Sequence, residues 1–410
     1  MRALILGKGV SGRGAAELLE KLKIGFEYYE DGDRPPELSA FDFAVKSPGF
    51  PPGHRLVRRV REELPLYGEV ELAYRFMRGK IVGITGTNGK STTTAMVYRC
   101  LEAAGRKAFI GGNYGVPASS FALETTPTSV SVLELSSFQI EDLTSFRGDV
   151  GAIINVTPDH LDRYPSFRDY LAAKLKIVNH FDFMVINGDD LELSGLKGDG
   201  FVRFSLKGRG DFRFDGTSLA GDGFRVEVGE LPLKGLHNLE NYLCAVAVLR
   251  LLGLEEEEIV RGLKEFRGLP HRTEFVGAVG GVRFINDSKS TNVDSVKKAL
   301  LSFDKVVLIA GGKDKGLDFT SLAPIIKERV KAVVAIGEAT SLIEKSFSGL
   351  VPVRRASSMD EAVETAFYLA EGEGVVLLSP GCASFDMFRN YKERGEAFKR
   401  AVKRLEESFA

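Results

Sequence analysis

The stretch GITGTNGKSTTTAMV, residues 83–97, decides the fold. It continues the apolar run KIVGIT and leads into a segment without helix breakers, a pattern that predicts a buried strand, a glycine-bearing loop and a helix. The usual phosphate-binding loop has four residues between its first glycine and its Gly-Lys pair, but five residues separate Gly83 from Gly89. The spacing alone therefore leaves two interpretations open, a nucleotide site or a tight turn with an exposed lysine.

The residue types in the loop favour the nucleotide site. A phosphate loop needs glycines whose backbone N–H groups face the anion, a lysine for the β and γ phosphates, a hydroxyl for Mg²⁺ and a helix N-terminus behind them. All of these occur here, and the candidate nucleotide-binding residues are Gly86, Thr87, Asn88, Gly89, Lys90, Ser91 and Thr92. A second glycine-rich stretch, GKGVSG at 7–12, matches the dinucleotide-binding pattern only loosely, and a packing turn explains it equally well.

Composition limits the classes of partner. The 410 residues include 55 basic and 56 acidic side chains, a formal net charge of −1, so no overall field attracts nucleic acid or an anionic membrane. No apolar run is long enough to span a bilayer and no signal-peptide core precedes the first glycines, so we expect a cytoplasmic protein. Cys100, Cys244 and Cys382 are far apart, which argues against a zinc site or a disulfide framework.

Alternating strand and helix patterns predict an α/β fold with three units. The first unit, 1–79, has the pattern of a small parallel sheet. The second, 80–269, contains β-branched runs typical of strands buried on both faces, and an antiparallel excursion at about 200–230. The third, 270–410, follows a Gly-Leu-Pro break.

Polar side chains follow two of the buried strands of the second unit. Glu134 ends one strand, where a carboxylate is costly unless it is paired or binds a metal; the alternative is an edge residue turned to solvent. Asp159, His160 and Asp162 follow the next strand, at the edge where open α/β sheets bind ligands, although His160 alone fits a structural histidine as well. Lys174, on the helix that follows, reads from the residues alone as a solvated lysine.

Eight motifs spread over nearly the whole chain carry a family resemblance. They are TGTNGKST, LELSSFQ, NVTPDHLDRY, AAKLK, HNLEN, LPHRTE, NDSKSTN and SPGCASFDMF. With them the sequence resembles the Mur ligase family, ATP-dependent enzymes that form amide bonds of the peptidoglycan precursor. The short glycine spacing is this family's own form of the loop, so the resemblance implies an ATP site. It also implies a Rossmann-like N-terminal domain for the UDP end of the substrate, a central P-loop ATPase domain and a Rossmann-like C-terminal domain for the amino acid.

Two of these motifs, NDSKSTN and LPHRTE, resemble the branch that adds D-glutamate to UDP-N-acetylmuramoyl-L-alanine through an acyl phosphate. The resemblance implies that Lys90 holds phosphates, that Ser91 and Glu134 bind one Mg²⁺, and that His160 binds a second beside a Lys174 carbamylated by CO₂. The implied nucleotide contacts are Asn241, Arg272 and Asp287. The implied contacts to the UDP substrate are Val10, Ser11, Asn113 and His160, and those to D-glutamate are Lys289, Thr291, Lys315, Ser384 and Tyr391. Tyr391 is a departure, because the best-known relatives have Phe there.

Alternatives remain at this point. Another ligase of the superfamily, either a different Mur step or a folylpolyglutamate synthetase-like enzyme, would differ in its carboxylate donor and its amine. A nucleotide-binding switch would hydrolyse ATP slowly without forming a bond, and a dehydrogenase would use GKGVSG. We expect a monomer whose partners are small molecules, with neither nucleic acid nor a membrane among them.

Overall fold

The computed structural model describes residues 1–161, 163–208, 210–314, 316 and 318–409. Its elements form three sheets flanked by helices, which confirms the α/β class. Among the described residues, none of the helices has the length and apolar character needed to cross a bilayer. Two compact units result: residues 1–232 with 237–266, and residues 233–236 with the chain from Arg267 onward. The first unit holds two of the three sheets, so the boundary at 79/80 stays a prediction.

The first sheet has four parallel strands in the order β2-β1-β3-β4. Its elements are β1 (Arg2–Leu6), α1 (Val10–Lys21), β2 (Gly25–Tyr29), β3 (Phe43–Lys46), α2 (Arg55–Glu63), β4 (Leu66–Gly68) and α3 (Glu69–Tyr74). The two faces of the sheet are covered by separate apolar clusters, one around α1 and one around α2.

The middle sheet has nine strands in the order β13-β12-β11-β10-β9-β8-β5-β7-β6. Its elements are β5 (Lys80–Thr85), α4 (Lys90–Ala103), β6 (Ala108–Gly112), α5 (Ala118–Phe121), β7 (Val130–Glu134), α6 (Ser137–Ile140), β8 (Gly148–Ile153), α7 (Phe167–Leu175), β9 (Phe181–Asn187), β10 (Phe201–Ser205), β11 (Phe212–Phe214), β12 (Ser218–Gly221), β13 (Phe224–Glu227), α8 (Leu236–Leu251) and α9 (Glu256–Glu265). The predicted antiparallel excursion is correct for β11 to β13, but β10 pairs in parallel with both β9 and β11 and continues the main sheet.

The second unit contains a six-stranded sheet in the order β14-β15-β19-β16-β17-β18, parallel except for β14. Its elements are β14 (Glu274–Val279), β15 (Val282–Asn286), α10 (Val293–Leu300), β16 (Val306–Gly311), α11 (Ala323–Arg329), β17 (Val330–Ile336), α12 (Thr340–Phe347), β18 (Val353–Ala356), α13 (Met359–Ala370), β19 (Val375–Gly381) and α14 (Tyr391–Phe409). Strand β19 lies between β15 and β16, so the order in which strands are added along the sheet changes direction there. Open α/β sheets bind ligands in the crevice at such a point.

One aromatic ring explains the glycine spacing in the opening stretch. A Cβ atom added to Gly83 would lie 2.2 Å from Phe181, and one added to Gly148 would lie 2.3 Å from the same ring. Gly151 is crowded by Phe181 as well, at 2.8 Å. Gly83 is therefore a packing residue inside β5, and the loop itself begins at Gly86.

Buried carboxylates join the first sheet to the middle sheet within the first unit. Glu69 accepts hydrogen bonds from the backbone N–H (2.7 Å) and hydroxyl (2.5 Å) of Ser119, and Glu71 accepts from backbone N–H groups at 144–146. Lys46, at the end of β3, forms a buried ion pair with Asp142 at 2.7 Å. Several independent contacts thus fix this junction.

Candidate active site

The loop between β5 and α4 has the backbone shape of a phosphate-binding loop. Gly86 and Gly89 have φ values of +155° and +85°, which side-chain-bearing residues rarely adopt. Gly89 caps α4, and a Cβ atom there would lie 2.2 Å from Asn241 Oδ1. A helix N-terminus behind glycines of this kind favours an anion through its backbone N–H groups and its dipole.

Strands β8 and β7 flank β5, so the residues that follow them lie on either side of the loop. Asn155, after β8, accepts from the Asn88 N–H (2.9 Å) and donates to the Asn88 carbonyl (3.1 Å). The Thr87 hydroxyl donates to the Thr157 carbonyl (3.0 Å) and lies 3.1 Å from the Tyr170 hydroxyl. These bonds fix the conformation of the loop, and sequence reasoning missed both Asn155 and Tyr170. A polar residue directly after a buried strand was the available signal for Asn155.

Two lysines converge on one carbonyl of the loop. Lys90 Nζ donates to the Gly86 and Thr87 carbonyls at 2.9 and 3.0 Å, and Lys174 Nζ donates to the Gly86 carbonyl at 3.0 Å. Lys174 is only 1% exposed, so the interpretation of a solvated lysine was wrong. Burial, followed by the charge of Lys90, holds the pKa of the Lys174 amine well below its usual range. The amine at position 174 therefore loses its proton more readily than that of a solvated lysine.

Glu134 is buried as well, at 2% exposure, which excludes the alternative of a solvent-facing edge residue. Its Oε2 accepts from the Ser91 hydroxyl at 2.5 Å and its Oε1 accepts from the Asn113 amide at 2.6 Å. A carboxylate beside a hydroxyl, at the N-terminus of a phosphate-loop helix, is the oxygen donor set that Mg²⁺ prefers. Ser91 and Glu134 therefore fit a single Mg²⁺.

His160 lies at the same edge on a turn with φ +53°. Its ring packs against Phe138 (centroids 5.0 Å apart) and Tyr170 (6.1 Å), and its Nε2 lies 3.8 Å from a carboxylate oxygen of Asp159. No cluster of three or more His, Cys, Asp or Glu side chains suited to a metal occurs in the described part of the chain. With an unmodified Lys174, the residues present do not fit a second Mg²⁺.

The remaining predicted residues of the first unit lie in two places. Asn241 is buried in α8 beside the loop, where its Oδ1 accepts from the Thr93 hydroxyl at 3.2 Å, and Thr92 is buried in α4. Val10 and Ser11 start α1 in the first sheet, and Val10 is exposed. The structure thus brings the loop, Glu134, Asn113, Lys174 and Asn241 together. Val10 and Ser11 lie elsewhere, on the helix that packs on the first sheet.

The second unit gathers its predicted residues at the carboxyl ends of β15 and β19. Asp287 accepts from the Ser379 hydroxyl (2.9 Å), the Ser290 hydroxyl and the Thr273 N–H (3.1 Å), and burial raises its pKa to about 6. Lys289 Nζ lies 4.1 Å over the Tyr391 ring. Ser384 is buried, whereas Arg272 and Thr291 are half-buried. Lys315 lies outside the described residues.

Two residues of the second unit were not predicted. Arg394 in α14 is 1% exposed and donates to the Ser288 carbonyl (2.8 Å), the Ser288 hydroxyl (3.0 Å) and the Cys382 carbonyl (3.1 Å), so it holds the ends of β15 and β19 together. Burial lowers its pKa to about 10. His271, with φ +64°, packs on Gly395 of the same helix. A glycine inside a charged helix was the one hint that we find in the sequence.

Two family models match the chain: the Mur ligase middle domain over residues 84–249, and the Mur ligase glutamate ligase domain over 271–382. The UDP-N-acetylmuramoylalanine–D-glutamate ligase of Aquifex aeolicus is 42% identical over 415 residues, which cover 98% of each chain. The ligase of the same name from Trichlorobacter lovleyi is 43% identical over 388 residues, covering 90% of this chain and 86% of that one.

Solved structures share the fold. The UDP-N-acetylmuramate-alanine ligase MurC of Thermotoga maritima superposes with a TM-score of 0.66 at 21% identity, covering 100% of both chains. A pseudomurein peptide ligase type C from Methanothermus fervidus reaches 0.69 at 16% identity, covering 98% of this chain and 99% of that one. The MurF ligase of Thermotoga maritima in complex with ADP reaches 0.65 at 17% identity, covering 100% and 95%.

Proposed function

The chain belongs to the Mur ligase family, and from this membership we propose that it joins D-glutamate to UDP-N-acetylmuramoyl-L-alanine with ATP, in the synthesis of the peptidoglycan precursor. The observation that carries the proposal is the near-full-length identity to relatives of that name, together with a buried Ser91–Glu134 pair beside a phosphate-type loop. The chain is an amide-forming ligase on this basis.

The chemistry follows from the substrate. A free carboxylate is a poor acyl donor, so an oxygen of the alanine carboxylate attacks the γ phosphorus of ATP; ADP leaves and an acyl phosphate forms. The amine of D-glutamate then attacks the acyl carbon, loses a proton and expels phosphate. The loop N–H groups and Lys90 position the phosphates and offset the charge of the transferring group. Lys90 must release the Gly86 and Thr87 carbonyls to do so.

Family members use ATP and Mg²⁺. Ser91 and Glu134 would hold one Mg²⁺, which would neutralise phosphate charge when bound. Carbamylation would make Lys174 an oxygen donor: its neutral amine attacks CO₂, loses a proton and becomes a carbamate. The lowered pKa of Lys174 supports this step, because only the unprotonated amine is a nucleophile. A carbamate at position 174 would, together with His160, supply donor atoms for a second Mg²⁺.

Substrate positions complete the proposal. We assign Val10, Ser11, Asn113 and His160 to the UDP substrate, and Asn241, Arg272 and Asp287 to the nucleotide. The D-glutamate set is Lys289, Thr291, Lys315, Ser384 and Tyr391, where cations and hydroxyls suit two carboxylates. These assignments imply three domains at 1–79, 80–269 and 270–410. We further propose a cytoplasmic monomer; the three free, buried cysteines support the reducing compartment.

The decisive experiment measures phosphate release from ATP with UDP-N-acetylmuramoyl-L-alanine and either D-glutamate, L-glutamate, L-lysine or no amino acid. We expect release, and a new amide by mass spectrometry, with D-glutamate alone. Release with another amine would move the protein to a neighbouring step of the family. Release that does not depend on an amino acid would leave an ATPase and overturn the proposal.

A further inference from the structure

Arg163 lies on the turn that carries His160, and its side chain is 16% exposed. Its guanidinium carbon lies 3.6 Å from the centroid of the Phe138 ring, and Phe138 in turn packs edge-on against His160. The Arg163 and Tyr164 backbone N–H groups both donate to the His160 carbonyl at 3.0 Å. Arg163 therefore supports His160 from the backbone and, through Phe138, from the side chain.

The same guanidinium reaches two further elements of the first unit. One nitrogen donates to the Pro48 carbonyl at 3.2 Å, directly after β3 of the first sheet. The other forms an ion pair with Glu141 at 3.4 Å, after α6, and the Tyr164 hydroxyl donates to the same Glu141 oxygen at 3.2 Å. A planar guanidinium can stack and donate in two directions at once, which a lysine ammonium cannot do.

Pro48 leads back to the glycine loop of the first sheet. Its neighbour Ser47 donates its hydroxyl to the Gly7 carbonyl at 3.1 Å, and Gly7 begins the loop that ends in Val10 and Ser11. A continuous path of contacts thus runs from this loop through Ser47, Pro48 and Arg163 to His160. We propose that Arg163 is a positioning residue that couples binding of the UDP substrate at the first sheet to the placement of His160. This inference rests on the proposed function.

The junction between the sheets has contacts besides those of Arg163. The Lys46–Asp142 pair and the hydrogen bonds of Glu69 and Glu71 hold the same two sheets together. We therefore expect substitution of Arg163 to leave a folded protein in which its positioning role can be measured.

The test compares two variants of Arg163: Arg163→Met keeps the aliphatic stem, and Arg163→Lys keeps the charge. The matched control is Arg168→Met, on the exposed surface of α7. We expect Arg163→Met to lower kcat by a factor of about 10 to 100, since a misplacement of about 1 Å has effects of that size. It should also raise the KM for the UDP substrate and leave the KM for D-glutamate within about twofold. The lysine variant should be intermediate, and the control unchanged.

Titration calorimetry distinguishes a positioning role from a purely structural one, because it measures the affinity for ADP with and without the UDP substrate. In the wild type, UDP-N-acetylmuramoyl-L-alanine should tighten the binding of ADP, and this coupling should vanish in Arg163→Met while the affinity for ADP alone is retained. Intact coupling in the variant, or equal loss of every constant with a lowered melting temperature, would overturn the inference. Should the wild type lack phosphate release that depends on D-glutamate, the proposed function fails. The inference about Arg163 fails separately if UDP-N-acetylmuramoyl-L-alanine does not tighten the binding of ADP in the wild type.

Discussion

Replacement of Gly395 by alanine should reverse the usual effect of that substitution. In a helix interior, Gly→Ala normally stabilises a protein by about 0.5–1 kcal/mol, because glycine loses more backbone entropy on folding. Gly395 is the fifth residue of α14 and is buried. An added Cβ atom would lie 2.2 Å from Nδ1 of His271 and 2.9 Å from two of its ring carbons. The added methyl group would therefore overlap the imidazole ring, well inside van der Waals contact.

The imidazole cannot move away cheaply. His271 is 5% exposed, its backbone has φ +64°, and Asn286 Nδ2 lies 3.0 Å from Nδ1. Overpacking a buried site costs about 1–3 kcal/mol, and the loss of the Asn286 hydrogen bond costs about 1 kcal/mol more. After subtraction of the helix-propensity gain, we expect Gly395→Ala to lower the free energy of unfolding by about 1–3 kcal/mol.

Urea unfolding followed by circular dichroism measures this change, and hydrogen exchange of α14 locates it in the second unit. The control is the double variant with His271→Ala, where the added methyl group has room. In that background Gly395→Ala should be neutral or stabilising. Stabilisation of the single variant by about 1 kcal/mol would refute the reasoning, since propensity would then outweigh the clash.

Three further predictions concern the chemistry of the site. Burial raises the pKa of Asp287 to about 6, so the folded chain binds this proton more tightly than the unfolded chain does. The free energy of unfolding should therefore fall as the pH rises from about 4 to about 6, and Asp287→Asn should reduce this pH dependence in urea unfolding. Removal of CO₂ from the buffer should lower the rate of phosphate release and bicarbonate should restore it, whereas Lys174→Ala should stay slow in both buffers. Since Lys289 lies over the Tyr391 ring, Tyr391→Ala should raise the KM for D-glutamate about three- to tenfold and Tyr391→Phe should leave it unchanged.

The sequence predicted the parts of this molecule that local patterns govern. Hydrophobic periodicity and glycine positions gave the strand–loop–helix around Lys90 and the parallel sheets, because those signals depend on neighbours in sequence. The rule that strand ends share an edge placed Glu134 and His160 beside the loop. The family resemblance was needed for Lys174, whose own sequence neighbourhood is that of an ordinary helix.

Residues defined by distant neighbours could not be predicted. Lys174 is buried, and the carbonyl that accepts its hydrogen bond, that of Gly86, is far away in sequence. Arg394 is buried because it spans the ends of two strands that only the folded sheet brings together. Strand β10 joined the main sheet through parallel pairing with β9, whereas its short alternating pattern indicated an antiparallel hairpin. In each case the contacting residue or strand is distant in sequence, and only the arrangement of the strands in the folded sheet brings it near.

The ring of Phe181 has a consequence for how such sequences change over time. Because it fills the space above Gly83 and Gly148, either position can accept a side chain only when position 181 becomes smaller; Gly151 would need room from Met184 as well, whose Sδ atom lies 2.5 Å from an added Cβ atom. We therefore expect positions 83, 148 and 181 to vary together among homologous chains. A motif search that requires glycine at the position of Gly83 would then select for packing against the aromatic ring and not for phosphate binding. Such a search would miss chains that bind the same phosphates with alanine at 83.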